Sequence, residues 1–207
     1  MIVGQDFVWL HFMKTGGHAV ELALRAAMRG RRDVKFDARK APYLGWHHSA
    51  TQREQSDPQF VAANKTIICG FRRLPMWLLS RVYYEASKPP YRTVTREMLC
   101  AGEYFENAGD RCVADNYLKD YVSPPVDRWI RHEHLASDFT LAFRDVLNKR
   151  LPTALQRLGA TVNATPMPYI KDPSFYFTDK ELRGLYDANP VWARLEEDLY
   201  GDLIRIA

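Results

Sequence analysis

The sequence predicts an α/β domain with a mostly parallel central sheet flanked by helices. Three short segments with β propensity, residues 7–12, 65–70 and 127–131, are read as its core strands. Each is followed by a longer segment with apolar side chains at helical spacing, and the spacing predicts helices over about residues 75–86 and 135–147 after the second and third strands. This alternation is typical of parallel sheets. At 207 residues the chain fits one domain, since ~100–200 residues per domain is usual.

The most informative stretch joins the first strand to the first helix. Residues 7–12 form an apolar and aromatic run that ends at the loop Lys14-Thr15-Gly16-Gly17. After the loop, apolar residues recur on one helix face: Val20, Leu24, Ala27 and Met28. The predicted order is therefore strand, tight loop, helix.

This loop has the features of a phosphate-binding site. A helix N-terminus carries roughly half a positive charge and presents backbone N–H groups. Lys14 adds a full charge, and the two glycines let the backbone approach a phosphate closely. Because Lys14 precedes the glycines, the loop does not match the GxxxxGK[ST] pattern of ordinary P-loop NTPases. The alternative is a plain strand-to-helix turn with a solvated lysine.

The segment HFMKTGGHAV resembles the PKTGGT-type 5′-phosphosulfate loop of sulfotransferases, especially the carbohydrate branch that includes heparan sulfate 2-O- and 6-O-sulfotransferases. Met13 replaces the usual Pro or Gln, and His18 the usual Thr or Ser, although imidazole can also donate a hydrogen bond to phosphate. The resemblance implies a P-loop-like sulfotransferase fold and a set of residues that bind the sulfuryl donor 3′-phosphoadenosine 5′-phosphosulfate (PAPS): Lys14, Thr15, Gly16, Gly17, His18 and Ala19.

A second motif follows the second predicted strand. Arg72 stands at the carboxyl end of that strand, where open α/β sheets bind ligands, and Ser80 lies on the next helix. GFRRLPMWLLSRVYYE resembles the RDPFDRLLSAYY-type 3′-phosphate motif of the same family, with Arg72 and Ser80 at the family's separation. Arg73 replaces an acidic or amide residue, and Pro75 is displaced by one. The alternative is a surface ion pair for the arginines and a helix contact for Ser80.

Two weaker resemblances lie further along the chain. Residues 95–100 resemble the QTRxLxG stretch of carbohydrate sulfotransferases, inside a segment, 88–125, that is a candidate substrate or lid loop. WIRHEHLASDF resembles the RxEHLxxDF segment after the family's last core strand. Its two histidines and one acid, residues 132–134, are read as polar residues at a strand exit, so no metal is expected.

Local signals predict four helix starts. Ser49–Gln52 and Thr178–Glu181 are capping boxes, whereas Asp57-Pro58 and Asn189-Pro190 offer an N-cap residue followed by a first-turn proline.

The general base of the transfer is assigned to His48, because histidine matches neutral pH and GWHHSAT resembles a family stretch with a histidine after the second strand. Its neighbour His47 is the alternative, since adjacent side chains point in different directions. Both could instead be capping or surface histidines. Tyr43 and Trp46 are candidates for stacking on a sugar acceptor or for anchoring the loop to the core.

Composition excludes several classes of protein. A chain with 46% hydrophobic and 26% charged residues, and no run near ~20 apolar residues, is expected to be soluble, without a transmembrane segment or signal peptide, and cytoplasmic. Cys69, Cys100 and Cys112 lack disulfide or zinc spacing and are expected to be free thiols. The net charge of +4 suits an anionic ligand but is too small to indicate nucleic-acid binding.

The predicted activity is transfer of a sulfuryl group from PAPS to an acceptor hydroxyl on a carbohydrate or small molecule, without a metal. The product would be 3′,5′-adenosine bisphosphate (PAP). Two alternatives stay open: an ATP-dependent phosphotransferase, disfavoured by the absent Walker pattern, and a non-catalytic module that binds nucleotide or polyanion.

Overall fold

The structure is a computed structural model that describes residues 1–38, 45–106, 110–159 and 167–206. The chain divides into two compact units: Met1–Phe71 with Asp120–Asn163 (unit 1), and Arg72–Lys119 with Ala164–Ala207 (unit 2). Each unit combines two separate stretches of chain, so the units are not successive segments of the sequence. The expectation of one domain over 1–207 stays a prediction.

The described residues contain seven strands and nine α-helices. The strands are β1 Ile2–Val3, β2 Phe7–Leu10, β3 Lys35–Phe36, β4 Thr66–Phe71, β5 Glu103–Phe105, β6 Arg111–Val113 and β7 Arg128–Arg131. The helices are α1 Gly17–Ala27, α2 Ala50–Ser56, α3 Leu74–Ala86, α4 Arg96–Cys100, α5 Ala114–Lys119, α6 Leu135–Leu147, α7 Leu151–Leu158, α8 Asp179–Asp187 and α9 Pro190–Tyr200. None of these helices is both long and apolar enough to cross a membrane.

Unit 1 is built on a five-stranded sheet in the order β3-β1-β2-β4-β7. The three strands predicted from the sequence, β2, β4 and β7, pair in parallel, with Leu10 opposite Cys69 and Phe71 opposite Arg131. Strand β1 pairs antiparallel with β2, and the edge strand β3 pairs antiparallel with β1, so the sheet is mixed and only partly parallel, not mostly parallel as predicted. The carboxyl ends of β2, β4 and β7 therefore lie at the same edge of the sheet. The loop before α1 follows β2, so it lies at this edge.

Apolar burial holds this sheet and its helices together. All four residues of β2 are buried, as a central strand covered on both faces requires. Helix α1 buries Val20 and Leu24 in the same core, and α6 contributes Phe143, whose ring packs edge-on against Phe7 at 5.9 Å. Each such side chain contributes about 1.5–3 kcal/mol when fully buried, so α1 is fixed to the sheet by several of them.

Unit 2 combines helices with a two-stranded antiparallel sheet. Strands β5 and β6 pair with Tyr104 opposite Cys112. Trp77 of α3 is fully buried and packs against Tyr104 and Trp192, with ring centroids 5.5 Å and 4.6 Å away. The candidate substrate segment 88–125 carries α4, α5 and this small sheet among its described residues, so much of it is regular structure rather than loop.

A buried carboxylate fixes the N-terminus of α3 within unit 2. Glu196 accepts hydrogen bonds from Leu74 N at 2.7 Å and from the Tyr186 hydroxyl at 2.7 Å. Arg73 approaches Glu196 at 3.3 Å and Asp202 at 2.6 Å. A negative charge at a helix N-terminus is favourable. Arg73, the residue that departs from the family motif, therefore joins α3 to the C-terminal part of the chain.

Glu196 is expected to make unit 2 sensitive to pH. Burial raises the pKa of Glu196 to about 7, against the opposing effect of its hydrogen bonds with Leu74 and Tyr186. Between the ordinary glutamate pKa and about 7 the folded state holds a proton that the unfolded chain has released, so the free energy of unfolding falls as pH rises through this window. At 1.36 kcal/mol per pH unit, the loss amounts to about 3 kcal/mol.

Urea unfolding of the wild type and of Glu196→Gln at pH 5 and pH 7.5 measures this contribution. Glutamine keeps the size and an acceptor for Leu74 N but does not titrate. The wild type is expected to lose more stability than the variant between the two pH values. Equal losses in both proteins would show that Glu196 does not titrate in this window.

Candidate functional site

The predicted phosphate loop lies between β2 and α1. Ala19 N and Val20 N make the first hydrogen bonds of the helix, both to Gly16 O, at 2.9 and 3.3 Å. The N–H groups of Gly17 and His18 therefore precede the first intrahelical bond and stand at the positive end of the helix dipole. Helix α1 has no acidic residue in its first turn, so the charge there is positive.

Two residues of the loop have left-handed backbone conformations. Gly16 is the N-cap of α1, with φ of 84°, and Lys14 has φ of 65°. A lysine in this region costs of order 1–3 kcal/mol of backbone strain, which surrounding contacts must offset. Thr15 is fully buried, and its hydroxyl donates to Phe12 O at 2.8 Å, which closes the turn from inside.

Close contacts at two glycines hold the loop against the sheet. A Cβ on Gly17 would lie 1.8 Å from Cδ2 of His11, and a Cβ on Gly70 in β4 would lie 2.4 Å from Oγ1 of Thr15. No side chain larger than hydrogen fits at either position without moving its neighbour. The loop thus depends on a glycine in its own sequence and on one in the adjacent strand.

His11, which touches Gly17 of the loop, packs against the rings of His18, Trp46 and His47. His11, 2% exposed, has its ring centroid 4.6 Å from that of His47, 4.6 Å from Trp46 and 5.3 Å from His18. The His11 and His47 rings are stacked, with an angle of 25° between their planes. Sequence reasoning placed His11 in the core strand and missed this cluster, because 36 residues separate His11 from His47.

Buried polar contacts fix the segment that carries His47. Trp46 is 4% exposed, and its carbonyl accepts a hydrogen bond from the amino group of Met1 at 2.9 Å. The carbonyl of His47 accepts a hydrogen bond from the Tyr121 hydroxyl. Trp46 thus anchors its segment to the core, which is the second of the two roles predicted for it. Tyr43, the other candidate for stacking on a sugar, lies outside the described residues.

His48, the base assigned from the sequence, points in a different direction from His47. Its Nδ1 lies 3.2 Å from Oγ of Ser56, at the far end of α2. Partial burial lowers the pKa of His48, as does the nearby amino group of Met1, while Asp37 opposes both. His48 is therefore neutral at neutral pH, but among the described residues it makes no hydrogen bond or ring contact with the loop. His47 contacts His11, which in turn packs against Gly17 of the loop, whereas His48 contacts Ser56.

Arg72 and Ser80, the predicted 3′-phosphate residues, belong to unit 2. Arg72 precedes α3 and its carbonyl accepts a hydrogen bond from Nε1 of Trp192 at 3.1 Å. Ser80 lies in the middle of α3. Both residues are largely buried, at 8% and 4% exposed. Of the two arginines, Arg73 forms the kind of ion pair that the sequence offered as the alternative, with Glu196 and Asp202.

The exit of β7 also reaches the loop. A Cβ on Gly16 would lie 3.0 Å from Nδ1 of His132, so His132 packs against the N-cap of α1. Across the described ranges, no three His, Cys, Asp or Glu side chains are grouped so as to hold a metal ion. Cys69 is fully buried, and burial raises the pKa of its thiol. Its thiol is therefore protonated and unreactive.

Comparison with known proteins identified no relative of this chain. The chain matches no protein-family model, no curated protein and no solved structure. The function is therefore inferred from the loop, its neighbours and the motifs in the sequence.

Proposed function

We propose that the protein transfers a sulfuryl group from PAPS to an acceptor hydroxyl, on a sulfotransferase P-loop-like fold. The observation that carries the proposal is the loop between a buried parallel strand and the N-terminus of α1, where Lys14 and two adjacent glycines follow the family's motif. The observed mixed α/β sheet with flanking helices is compatible with such a fold.

Lys14 and the amides at the start of α1 would act on the leaving group. The acceptor oxygen attacks sulfur, and the bond between sulfur and the 5′-phosphate oxygen breaks, so PAP departs with the bonding electrons. Charge grows on the departing oxygen in a loose, in-line transition state. A cation and preorganised N–H groups stabilise that charge most where water is excluded, which favours the transition state over the ground state.

Arg72 and Ser80 are assigned to the 3′-phosphate that distinguishes PAPS from ATP. The assignment follows from the resemblance to the family's motif and from residue chemistry. A guanidinium fork binds phosphate bidentately, and a serine hydroxyl can donate to it.

The acceptor is proposed to be a hydroxyl-bearing carbohydrate or small molecule, and a histidine to remove its proton. The sequence assigns this role to His48, and the contacts around the loop favour His47. We expect substitution of the true base by alanine to lower turnover by roughly 10²–10⁴-fold, because general-base catalysis contributes about that much. PAP affinity should change little, since the base acts on the acceptor.

Parallel assays of His47→Ala and His48→Ala assign the role, and each variant serves as the control for the other. Loss in His47→Ala alone supports the contacts, whereas loss in His48→Ala alone supports the sequence assignment. If both variants keep full turnover, neither histidine is the base.

The proposed activity is tested by incubating the protein with [35S]PAPS and a panel of saccharides, phenols and lipids. Label is expected to move to at least one hydroxyl acceptor in the absence of metal, with release of PAP. If the protein binds PAP but neither transfers label nor converts PAPS to PAP, it is a non-catalytic binding module, and the proposal is wrong.

A further inference from the structure

The contact between His11 and His47 has a geometry that fixes where their protons lie. Nδ1 of His47 is 3.0 Å from the main-chain oxygen of His11 and 3.2 Å from Nδ1 of the His11 ring. Both distances are within hydrogen-bond range, so one atom of His47 faces two atoms of a single residue.

A carbonyl oxygen can only accept a hydrogen bond, so Nδ1 of His47 must carry a hydrogen. Two N–H hydrogens cannot point at each other across 3.2 Å, so Nδ1 of His11 is the unprotonated nitrogen and accepts from the same hydrogen. In the neutral pair, His47 is then the Nδ1–H tautomer with its lone pair on Nε2. His11 carries its own proton on Nε2.

Packing prevents the His11 ring from leaving this arrangement. His11 is 2% exposed and lies between Trp46, the His47 ring and the backbone of Gly17, where even a Cβ would overlap it. His11 stands just before the phosphate loop in the chain. Its contacts with His47 therefore fix the position of His47 relative to that loop.

We infer that His11 is a positioning residue, which holds His47 in the Nδ1–H tautomer so that Nε2 of His47 is the atom that accepts the proton of the acceptor hydroxyl. This inference rests on the proposed function and goes beyond it, because it assigns the base to one atom and gives His11 a role. When Nε2 takes the proton, the imidazolium keeps its Nδ1–H bonds to both acceptors of His11, which stabilise the positive charge. The proton comes from the hydroxyl whose oxygen bonds to sulfur, so charge and atoms balance.

The tautomers can be measured without any activity. In protein labelled with [15N]histidine, long-range 1H–15N correlation spectra distinguish Nδ1–H from Nε2–H imidazoles. His47→Asn and His11→Phe spectra assign the signals by their loss. His47 is expected as Nδ1–H and His11 as Nε2–H near neutral pH, although free histidine prefers Nε2–H. An Nε2–H signal for His47 would overturn the inference, even if sulfuryl transfer were established.

Turnover then tests the role of His11. His11→Phe keeps an aromatic ring against His47 but removes the side-chain acceptor, whereas His11→Asn restores an acceptor near the Nδ1 position. We expect His11→Phe to lower kcat by about 10-fold or more with KM for PAPS unchanged, part of the roughly 10²–10⁴-fold that a base contributes, and His11→Asn to recover most of the loss. A folded His11→Phe protein with wild-type kcat would exclude a positioning role. Absence of PAPS turnover in the wild type would refute the proposed function, while the tautomer result would still stand on its own.

Discussion

Lys14→Ala is expected to lower the rate of sulfuryl transfer by roughly 10³–10⁵-fold, the range seen when a cation that stabilises the charge of a transferred group is removed. Lys14 lies in the loop between β2 and the N-cap of α1, where it would meet the bond that breaks. Since the charge is largest in the transition state, kcat should fall much more than affinity for PAP. Steady-state kinetics with [35S]PAPS measure the difference.

The fold should survive this substitution. Lys14 is only partly buried, and alanine adopts positive φ at a cost similar to that of lysine, so the melting temperature should stay within a few degrees. Lys14→Arg keeps the charge and serves as the matched control. A Lys14→Ala protein that is folded and fully active would remove the lysine from the mechanism.

Gly70→Ala is expected to produce the largest loss of stability, together with loss of PAP binding. The added Cβ would lie 2.4 Å from Oγ1 of Thr15 and 3.3 Å from Cη2 of Trp9, both of them buried. Thr15 must then move and give up its bond to Phe12 O. Overpacking of this kind costs about 1–3 kcal/mol, and the lost hydrogen bond about 1 kcal/mol more. Chemical unfolding and calorimetric titration with PAP measure the two effects.

Gly184→Ala is the control for the same chemical change. Gly184 lies inside α8, and an added methyl group there would have no atom within 4 Å, so alanine should stabilise the protein by about 0.5–1 kcal/mol through its helix propensity. If Gly70→Ala were as stable as Gly184→Ala and bound PAP normally, the loop would not depend on close packing against β4.

Local sequence signals predicted most of the central elements. The predicted helix over residues 135–147 has the observed bounds of α6, and α3 starts one residue before the predicted Pro75. The capping boxes at Ser49 and Thr178 are present, and Asn189-Pro190 opens α9. These predictions succeeded because caps and helical periodicity act over only a few residues.

Elements that depend on distant partners were predicted poorly. Asp57-Pro58 does not start a helix: Asp57 ends α2, where it pairs with Arg53 at 3.3 Å. Strand β1, only two residues long, exists because it pairs with β2 and β3, and no periodicity in two residues can predict it. Helix α7, which packs against α1 and α6, was likewise not anticipated.

In the candidate site, too, the local feature could be predicted from the sequence and the long-range contact could not. The loop between β2 and α1 could be predicted because Lys14, Gly16 and Gly17 are neighbours in the sequence, and its binding of phosphate stays a prediction. The stack of His11 on His47 could not, since it is set by how the segment before α2 packs against the end of β2. Choosing between His47 and His48 likewise requires the direction of each side chain, which sequence alone does not give.

The central claim, that the protein recognises a nucleotide with both a 5′- and a 3′-phosphate, is tested most directly by calorimetric titration with PAP and with ATP in metal-free buffer. PAP is expected to bind at least about tenfold more tightly, a difference of about 1.4 kcal/mol in binding free energy, because only PAP offers a 3′-phosphate to Arg72 and Ser80. At ~100 times its dissociation constant, PAP should also raise the free energy of unfolding by about 2.7 kcal/mol. Equal affinities for PAP and ATP, or no binding of PAP, would contradict the account.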